Sequence, residues 1–166
     1  RQLVLNSFSI PLVVLFPISF IIRVYSHPFA AIKNPKMART IVVKVGTSTL
    51  TDAQGLIDQA FLPTLAGQLC DLMDQGHGVV LVTSGAVRAG AEILGWTERP
   101  RTVPLKQAAA AIGQGRLMGL YAAAFEARGR AVGQILLTRQ LAQERARYVN
   151  AQNTLTTLLR HGVLPV

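Results

Sequence analysis

The chain of 166 residues has one cysteine, Cys70, so it cannot form an internal disulfide. A lone cysteine suits a reducing compartment, and we expect a cytoplasmic protein. No cluster of cysteine and histidine has the spacing of metal ligands, which argues against a zinc or redox centre and gives no metal-binding residues. The length is sufficient for one sizeable hydrophobic core.

Positive charge dominates the sequence but is not concentrated in it. The chain has 17 Lys and Arg residues and 8 Asp and Glu residues, a formal net charge of +9. Four of the basic residues and no acidic residue lie within 1–36, so 13 basic and 8 acidic residues remain, a net charge of +5. No run of Lys and Arg and no interleaved aromatic residues accompany this charge, so no nucleic-acid surface is indicated. A small anionic ligand is enough to account for it.

Residues 1–36 differ in composition from the rest of the chain. The stretch from Leu3 to Ile22 has no charged residue and would just span a bilayer, but prolines and polar residues interrupt it. No methionine precedes Met37, and no good cleavage site follows the apolar stretch. The segment is a membrane anchor, a targeting segment, or sequence translated ahead of a start at Met37. We favour the third interpretation, so we expect 1–36 to lie outside the fold and membrane association to be absent.

A short apolar run at 41–45 predicts a buried parallel strand, and Gly46 follows it. Lys44 interrupts this run, and a lysine there needs either water or a partner for its ammonium group. One interpretation is that its side chain reaches along the sheet to solvent. The other is that it meets an anion, of which phosphate is the obvious candidate, held by backbone N–H groups and hydroxyls of the turn at 46–48.

Strands and helices alternate after this turn. Apolar spacing predicts helices from 61 to a cap at Gly76, and over 86–94, 105–128 and 144–160, and strands over 79–82, 131–137 and 163–166. Glycines at 113, 115 and 119 weaken the third helix by about 1 kcal/mol each and indicate close packing there. The alternation predicts an α/β fold with an open, mainly parallel sheet and helices on both faces.

Ligands of such sheets collect beyond the carboxyl ends of the strands. Polar segments follow three predicted strands and should meet at one rim: Gly46-Thr47-Ser48, Thr83-Ser84-Gly85 and Thr138-Arg139. Ser84 has two compatible interpretations, a helix N-cap worth about 1 kcal/mol and a contact to an anion beside a helix N-terminus. The fourth strand closes the sequence, so we interpret the chain as part of a longer one.

The sequence has neither a P-loop nor a dinucleotide-binding glycine motif. Two segments, Val43-Lys44-Val45-Gly46-Thr47-Ser48 and Val82-Thr83-Ser84-Gly85-Ala86-Val87, instead resemble the first two motifs of the amino acid kinase family. Three later segments are similar to the branch of that family that acts on L-glutamate: 106–114, 133–139 and 150–155. The resemblance implies that 37–166 is the glutamate-binding part of an amino acid kinase domain, a three-layer sandwich that is incomplete at its C-terminus.

The resemblance also implies the reaction. It is transfer of the γ-phosphoryl group of ATP to the side-chain carboxylate of L-glutamate, the first step of proline biosynthesis, with Mg²⁺ and in a homo-oligomeric complete protein. Such transfer depends on positioning and on neutralising charge. Lys44 matches the catalytic lysine that contacts the ATP phosphates. The remaining matches are Gly46 and Ser48 for the ATP phosphates and Thr47, Ser84 and Gly85 for glutamate.

Other functions stay open at this point. Another enzyme of the family could act on acetylglutamate, aspartate or uridylate, although the Gly-Thr-Ser turn and the segment at 106–114 argue against it. The chain could also be a membrane-anchored, non-catalytic module, and a reductase fused downstream, as in some relatives, is compatible with it. The later half of the kinase domain, which holds the nucleotide in the family, has no counterpart in this sequence. We therefore expect the 166 residues alone to bind ATP poorly, to be inactive and to be marginally stable.

Overall fold

The computed structural model describes residues 23–24, 38–137 and 145–166. Its strands are β1 Arg23–Val24, β2 Thr40–Val45, β3 Gly78–Thr83, β4 Val132–Gly133 and β5 Leu164–Pro165. Its helices are α1 Thr47–Leu50, α2 Phe61–Asp74, α3 Ala86–Ile93, α4 Val103–Glu126 and α5 Arg145–Arg160. The predicted α/β class is confirmed, with strands and helices alternating from β2 onwards.

The strands form two parallel pairs. β2 and β3 pair in register from Thr40 opposite Gly78 to Val45 opposite Thr83, and β4 pairs with β5. One continuous sheet was predicted, but β5 contacts β3 without joining its hydrogen-bond ladder. Pro165 explains this. The amides on either side of it donate to β4, so position 165 faces β3, where proline has no N–H to donate.

Two residues of the N-terminal segment pair with the sheet. Arg23 and Val24 pair antiparallel with β2, opposite Lys44 and Val43. The remainder of 1–36 lies outside the described residues, so the domain boundary at Met37 stays a prediction. Among the residues that the structure describes, no helix combines the length and apolar composition needed to cross a bilayer.

Helices cover both faces of the β2–β3 pair, as predicted. The main core lies on one face, where residues of β2 and β3 pack against α2 and α4: Ile41, Val43, Val45, Leu65, Leu69, Val79, Leu81, Leu117, Tyr121 and Phe125. On the other face Leu155 and Leu159 of α5 pack with Val80 and Ile135. This second face is less completely covered, since Val82 is 44% exposed.

Helices α3 and α4 cross at two glycines. A Cβ atom built on Gly90 would lie 1.8 Å from the carbonyl oxygen of Ala109, and one on Gly113 would lie 1.9 Å from that of Ala86. The two backbones therefore approach to a distance that only glycine allows. The close packing predicted for Gly113 is confirmed, but that for Gly115 and Gly119 is wrong, because both face open space.

Candidate active site

The turns after β2 and β3 lie side by side at one rim of the sheet. The backbone N–H of Ser84 donates to the carbonyl oxygen of Val45 at 3.2 Å. The Ser84 hydroxyl donates to the same oxygen at 3.3 Å. Because Lys44 immediately precedes Val45, the backbone positions of the predicted phosphate-binding lysine and the predicted glutamate-binding serine are neighbours.

Thr47 reaches Ser84 from the other turn. Their hydroxyl oxygens lie 3.2 Å apart, and both residues are exposed. A hydroxyl can donate one hydrogen bond and accept others, so each can turn towards an anionic oxygen without leaving the rim. The structure thus brings together two of the three residues predicted to contact glutamate.

Gly85, the third of them, precedes the first residue of α3. It has a φ of +117°, which strains any residue with a side chain, and a Cβ there would lie 2.9 Å from Cδ2 of Leu50. Gly85 occupies the N-cap position of α3, and no side chain caps this helix. The N-cap interpretation of Ser84 is therefore wrong, and its hydroxyl instead bonds to β2.

Lys44 lies near the end of β2 on the face opposite Val43 and Val45. It is exposed, whereas those two valines are buried, and it pairs with Val82 of β3. Its exposure fits both the solvent and the anion interpretations. The segment after it, predicted as a turn, is helical, since the amides of Thr49 and Leu50 each donate to the Gly46 carbonyl at 3.1 Å. Ser48, within this turn, is exposed.

A cleft of about 820 Å³ opens beside the rim. Its apolar wall is formed by the second sheet face and by segments packed over it: Val42, Val80, Val82, Ile135, Leu155 and Pro165. Its polar wall includes the predicted glutamate contacts Thr47, Ser84 and Gly85, and Lys44, Gly46 and Ser48 lie outside the lining. The charged lining residues in the described part of the chain are Arg88 and Arg99, so the cleft suits an anion.

The described residues contain no cluster of candidate metal ligands. In the ranges that the structure covers, no group of three or more His, Cys, Asp or Glu side chains could hold a metal ion. Mg²⁺ stays a prediction about the complete protein.

Tyr121 fixes the end of β3 to α4. Its phenolic oxygen lies 2.7 Å from the hydroxyl of Thr83, the residue before Ser84. Burial raises the pKa of Tyr121 to about 12, partly offset by this hydrogen bond. The neutral phenol thus contributes to fixing the end of β3, which Ser84 follows.

Arg88 is a cleft residue near a helix N-terminus, a position at which the sequence favours a solvated arginine over one that meets an anion. It donates from Nε to the carbonyl of Gly55 and from Nη2 to that of Gln54 at 3.4 Å. Its partners are backbone atoms more than thirty positions away, which side-chain type and spacing cannot reveal. The third predicted rim segment, Thr138-Arg139, lies outside the described residues.

Comparison with known proteins places the chain in a family. Residues 39–166 match the model of the amino acid kinase family, and the chain belongs to that family. It is 52% identical over 131 residues to the glutamate 5-kinase of Nostoc punctiforme, and the aligned residues are 78% of this chain and 36% of the relative. It is 51% identical over 129 residues to the glutamate 5-kinase of Moorella thermoacetica, covering 78% of this chain and 34% of the relative.

A third glutamate 5-kinase, from Clostridium acetobutylicum, is 48% identical over 126 residues, or 76% of this chain and 47% of the relative. The chain thus spans between about a third and a half of the length of the curated relatives it matches.

Proposed function

We propose that this chain is the glutamate-binding part of a cytoplasmic kinase that transfers the γ-phosphoryl group of ATP to the side-chain carboxylate of L-glutamate. The product is γ-glutamyl phosphate, which would make this the first step of proline biosynthesis. The observation that supports this most is the contact of the Thr47 and Ser84 hydroxyls in a cleft whose charged lining residues, Arg88 and Arg99, are cations. The glutamate 5-kinase relatives agree with an acidic acceptor.

The acceptor would bind at the polar wall of the cleft. Thr47 and Ser84 would donate hydrogen bonds to a carboxylate, and the first turn of α3 adds backbone N–H groups and the positive end of its dipole. Gly85 lets the ligand approach the backbone where a side chain would be strained. These contacts fix the carboxylate oxygen that attacks the γ-phosphorus while ADP departs.

Lys44 would act on the transferring group. Charge spreads over the phosphoryl oxygens as the bond to ADP breaks, and a fixed cation stabilises that charge more than it stabilises bound ATP. Gly46 and Ser48 would add N–H and hydroxyl donors beside it. Lys44 is exposed, so water can solvate its ammonium group when no phosphate is bound. Its position is therefore compatible with this role.

The experiment uses a hybrid kinase, because the chain covers 36% of the Nostoc punctiforme relative. The matching segment of that relative is replaced by 38–166 of this chain, and γ-glutamyl phosphate is trapped with hydroxylamine. Aspartate and N-acetylglutamate serve as competing acceptors, and circular dichroism reports folding. We expect the hybrid kinase to phosphorylate glutamate in preference to the other two. A folded hybrid kinase that prefers another acceptor, or none, would contradict the proposal.

The 166 residues are assayed alongside the hybrid kinase. We expect them to give no turnover by themselves, and this stays a prediction until the assay is done. The homo-oligomeric state expected of the complete protein is measured on the same hybrid kinase by light scattering.

A further inference from the structure

A small hairpin at 51–57 forms part of the cleft wall. Thr51 and Ile57 make an antiparallel bridge, and the amide of Asp52 donates to the carbonyl of Leu56 at 2.9 Å. The Asp52 carboxylate accepts from the amides of Gln54 at 3.0 Å and Leu56 at 2.9 Å. The hairpin therefore has a defined shape of its own, and only its placement relative to the sheet remains to be fixed.

Ile57 anchors the base of the hairpin in the main core, and helix α3 orients the hairpin further with two side chains of opposite charge. The Arg88 guanidinium donates to the carbonyls of Gly55 and Gln54. The Glu92 carboxylate accepts from the amide of Ile57 at 3.2 Å. Arg88 and Glu92 are four residues apart, so they lie on one face of the helix. The cation thus meets backbone acceptors and the anion meets a backbone donor, which sets the hairpin in a single orientation.

Helix α4 contacts one of these two side chains, Glu92. Arg116 donates to the second carboxylate oxygen of Glu92 at 3.5 Å, and the side chains of Arg116 and Glu92 are 37% and 22% exposed. The close crossing at Gly90 and Gly113 keeps α3 against α4. The hairpin is therefore tethered to a helix that is itself held closely against α4.

The same helix also begins at the candidate glutamate contacts. Gly85 precedes the first residue of α3, and Arg88 lies in its first turn. Thr51, Gln54 and Gly55 of the hairpin line the cleft together with Thr47, Ser84 and Gly85. Because α3 begins directly after Gly85 and carries Arg88 and Glu92, it fixes the position of the hairpin at 51–57 relative to the turn after β3.

We infer that Arg88 and Glu92 are positioning residues that set the hairpin at 51–57 as a preformed wall of the acceptor site. The inference rests on the proposed function. Gln54 is exposed on this wall, and its side-chain amide can both donate to a carboxylate and accept from an ammonium group, the two kinds of charge that an amino acid carries. A wall fixed before binding lowers the entropy lost when the acceptor binds, so the tethers affect acceptor affinity more than the chemical step.

Kinetics of the hybrid kinase provide the first test. Arg88→Met keeps an apolar stem and removes the donors, and Glu92→Met removes the acceptor for Ile57 and the partner of Arg116. We expect KM for glutamate to rise roughly 10-fold in each, the equivalent of about 1.4 kcal/mol, with kcat and KM for ATP unchanged. Arg88→Lys, which keeps one cationic donor group, should recover part of the affinity.

Amide hydrogen exchange on the 166-residue chain provides a readout that does not need activity. Exchange of the amides at 54–57 should become about 10-fold faster in Arg88→Met and Glu92→Met, and amides of β2 and β3 should be unaffected. Arg101→Gln is the matched control, since Arg101 pairs with Glu98 in a contact whose side chains are 89% and 82% exposed. It should change neither measurement.

The outcomes separate the two proposals. An active hybrid kinase whose KM for glutamate is unchanged in both methionine variants overturns the positioning role alone. A rise in KM for glutamate that is accompanied by changes in kcat and in KM for ATP also overturns the positioning role. So does an equal rise in KM for glutamate in Arg101→Gln. A hybrid kinase that never phosphorylates glutamate overturns the proposed function, and the substrate role of the hairpin with it. Loss of exchange protection would then show that the tether is structural only.

Discussion

The crossing of α3 and α4 allows a sharp test of packing with two substitutions in the same helix. Gly113→Ala places a methyl group 1.9 Å from the carbonyl oxygen of Ala86 and 2.3 Å from the backbone nitrogen of Gly90. Gly115→Ala places one where no atom lies within 4 Å. The helix propensity gained is the same in both, up to about 1 kcal/mol, so the difference between them reports the contact with α3.

The expected magnitude follows from the distances. Atoms at 1.9 Å must separate by about 1 Å to pass the 3.0 Å below which real Cβ contacts essentially never occur. The obstacle is backbone, which cannot rotate away as a side chain can. Overpacking of this kind costs about 1–3 kcal/mol or more, and we place Gly113→Ala at the upper end. Gly115→Ala should be neutral or stabilised by up to about 1 kcal/mol. Because the propensity gain is common to both variants, the gap between them is roughly 3 kcal/mol.

Urea unfolding of the 166-residue chain, followed by circular dichroism, measures this gap. It should also appear as a difference in Tm of roughly 10 °C, since about 1 kcal/mol shifts Tm by 2–4 °C at this size. Gly119→Ala, which also meets nothing within 4 Å, serves as a second control. Equal unfolding midpoints for Gly113→Ala and Gly115→Ala would refute the inference that α3 and α4 need glycine at their crossing.

Three further results are expected of the same chain. Between pH 10 and about 12, Tyr121 should lower the chain's unfolding free energy by about 1.4 kcal/mol per pH unit, since folded Tyr121, with its pKa raised to about 12, keeps the proton that the unfolded chain releases. Tyr121→Phe should remove this part of the fall. Thr83→Val should cost about 1–3 kcal/mol in urea unfolding by leaving the buried phenol unpaired. Cys70 is buried, which also raises its pKa, so a thiol reagent should modify it only as the chain unfolds.

The arrangement of the rim could be predicted because it follows from strand order. Lys44 lies near the end of one buried strand and Ser84 directly follows the next, and the carboxyl ends of parallel strands meet at one edge. The same pattern predicted helices on both faces. These features depend on hydrophobic periodicity, which a single sequence displays directly.

The remaining features depend on backbone geometry that residue types do not display. Ser84 has the chemistry of an N-cap, but the left-handed conformation of Gly85 moves the helix start one residue on. Pro165 separates β5 from β3 only because of the direction in which its nitrogen faces. Glycines at 113 and 115 look alike in sequence, and they differ only in that Gly113 meets the backbone of α3 and Gly115 does not.

The roles of Lys44 and Ser84 are tested most directly by comparing Lys44→Met with Ser84→Ala in the hybrid kinase. We expect Lys44→Met to lower kcat by a factor on the order of 100 or more, because it removes a charge that acts in the transition state, and to leave KM for glutamate unchanged. Ser84→Ala should chiefly raise KM for glutamate. Both residues are exposed, so Lys44→Met should leave Tm unchanged, and Ser84→Ala should lower it by no more than the few degrees expected from losing the hydrogen bond to Val45. Full kcat in Lys44→Met would contradict the proposed phosphoryl transfer at this rim.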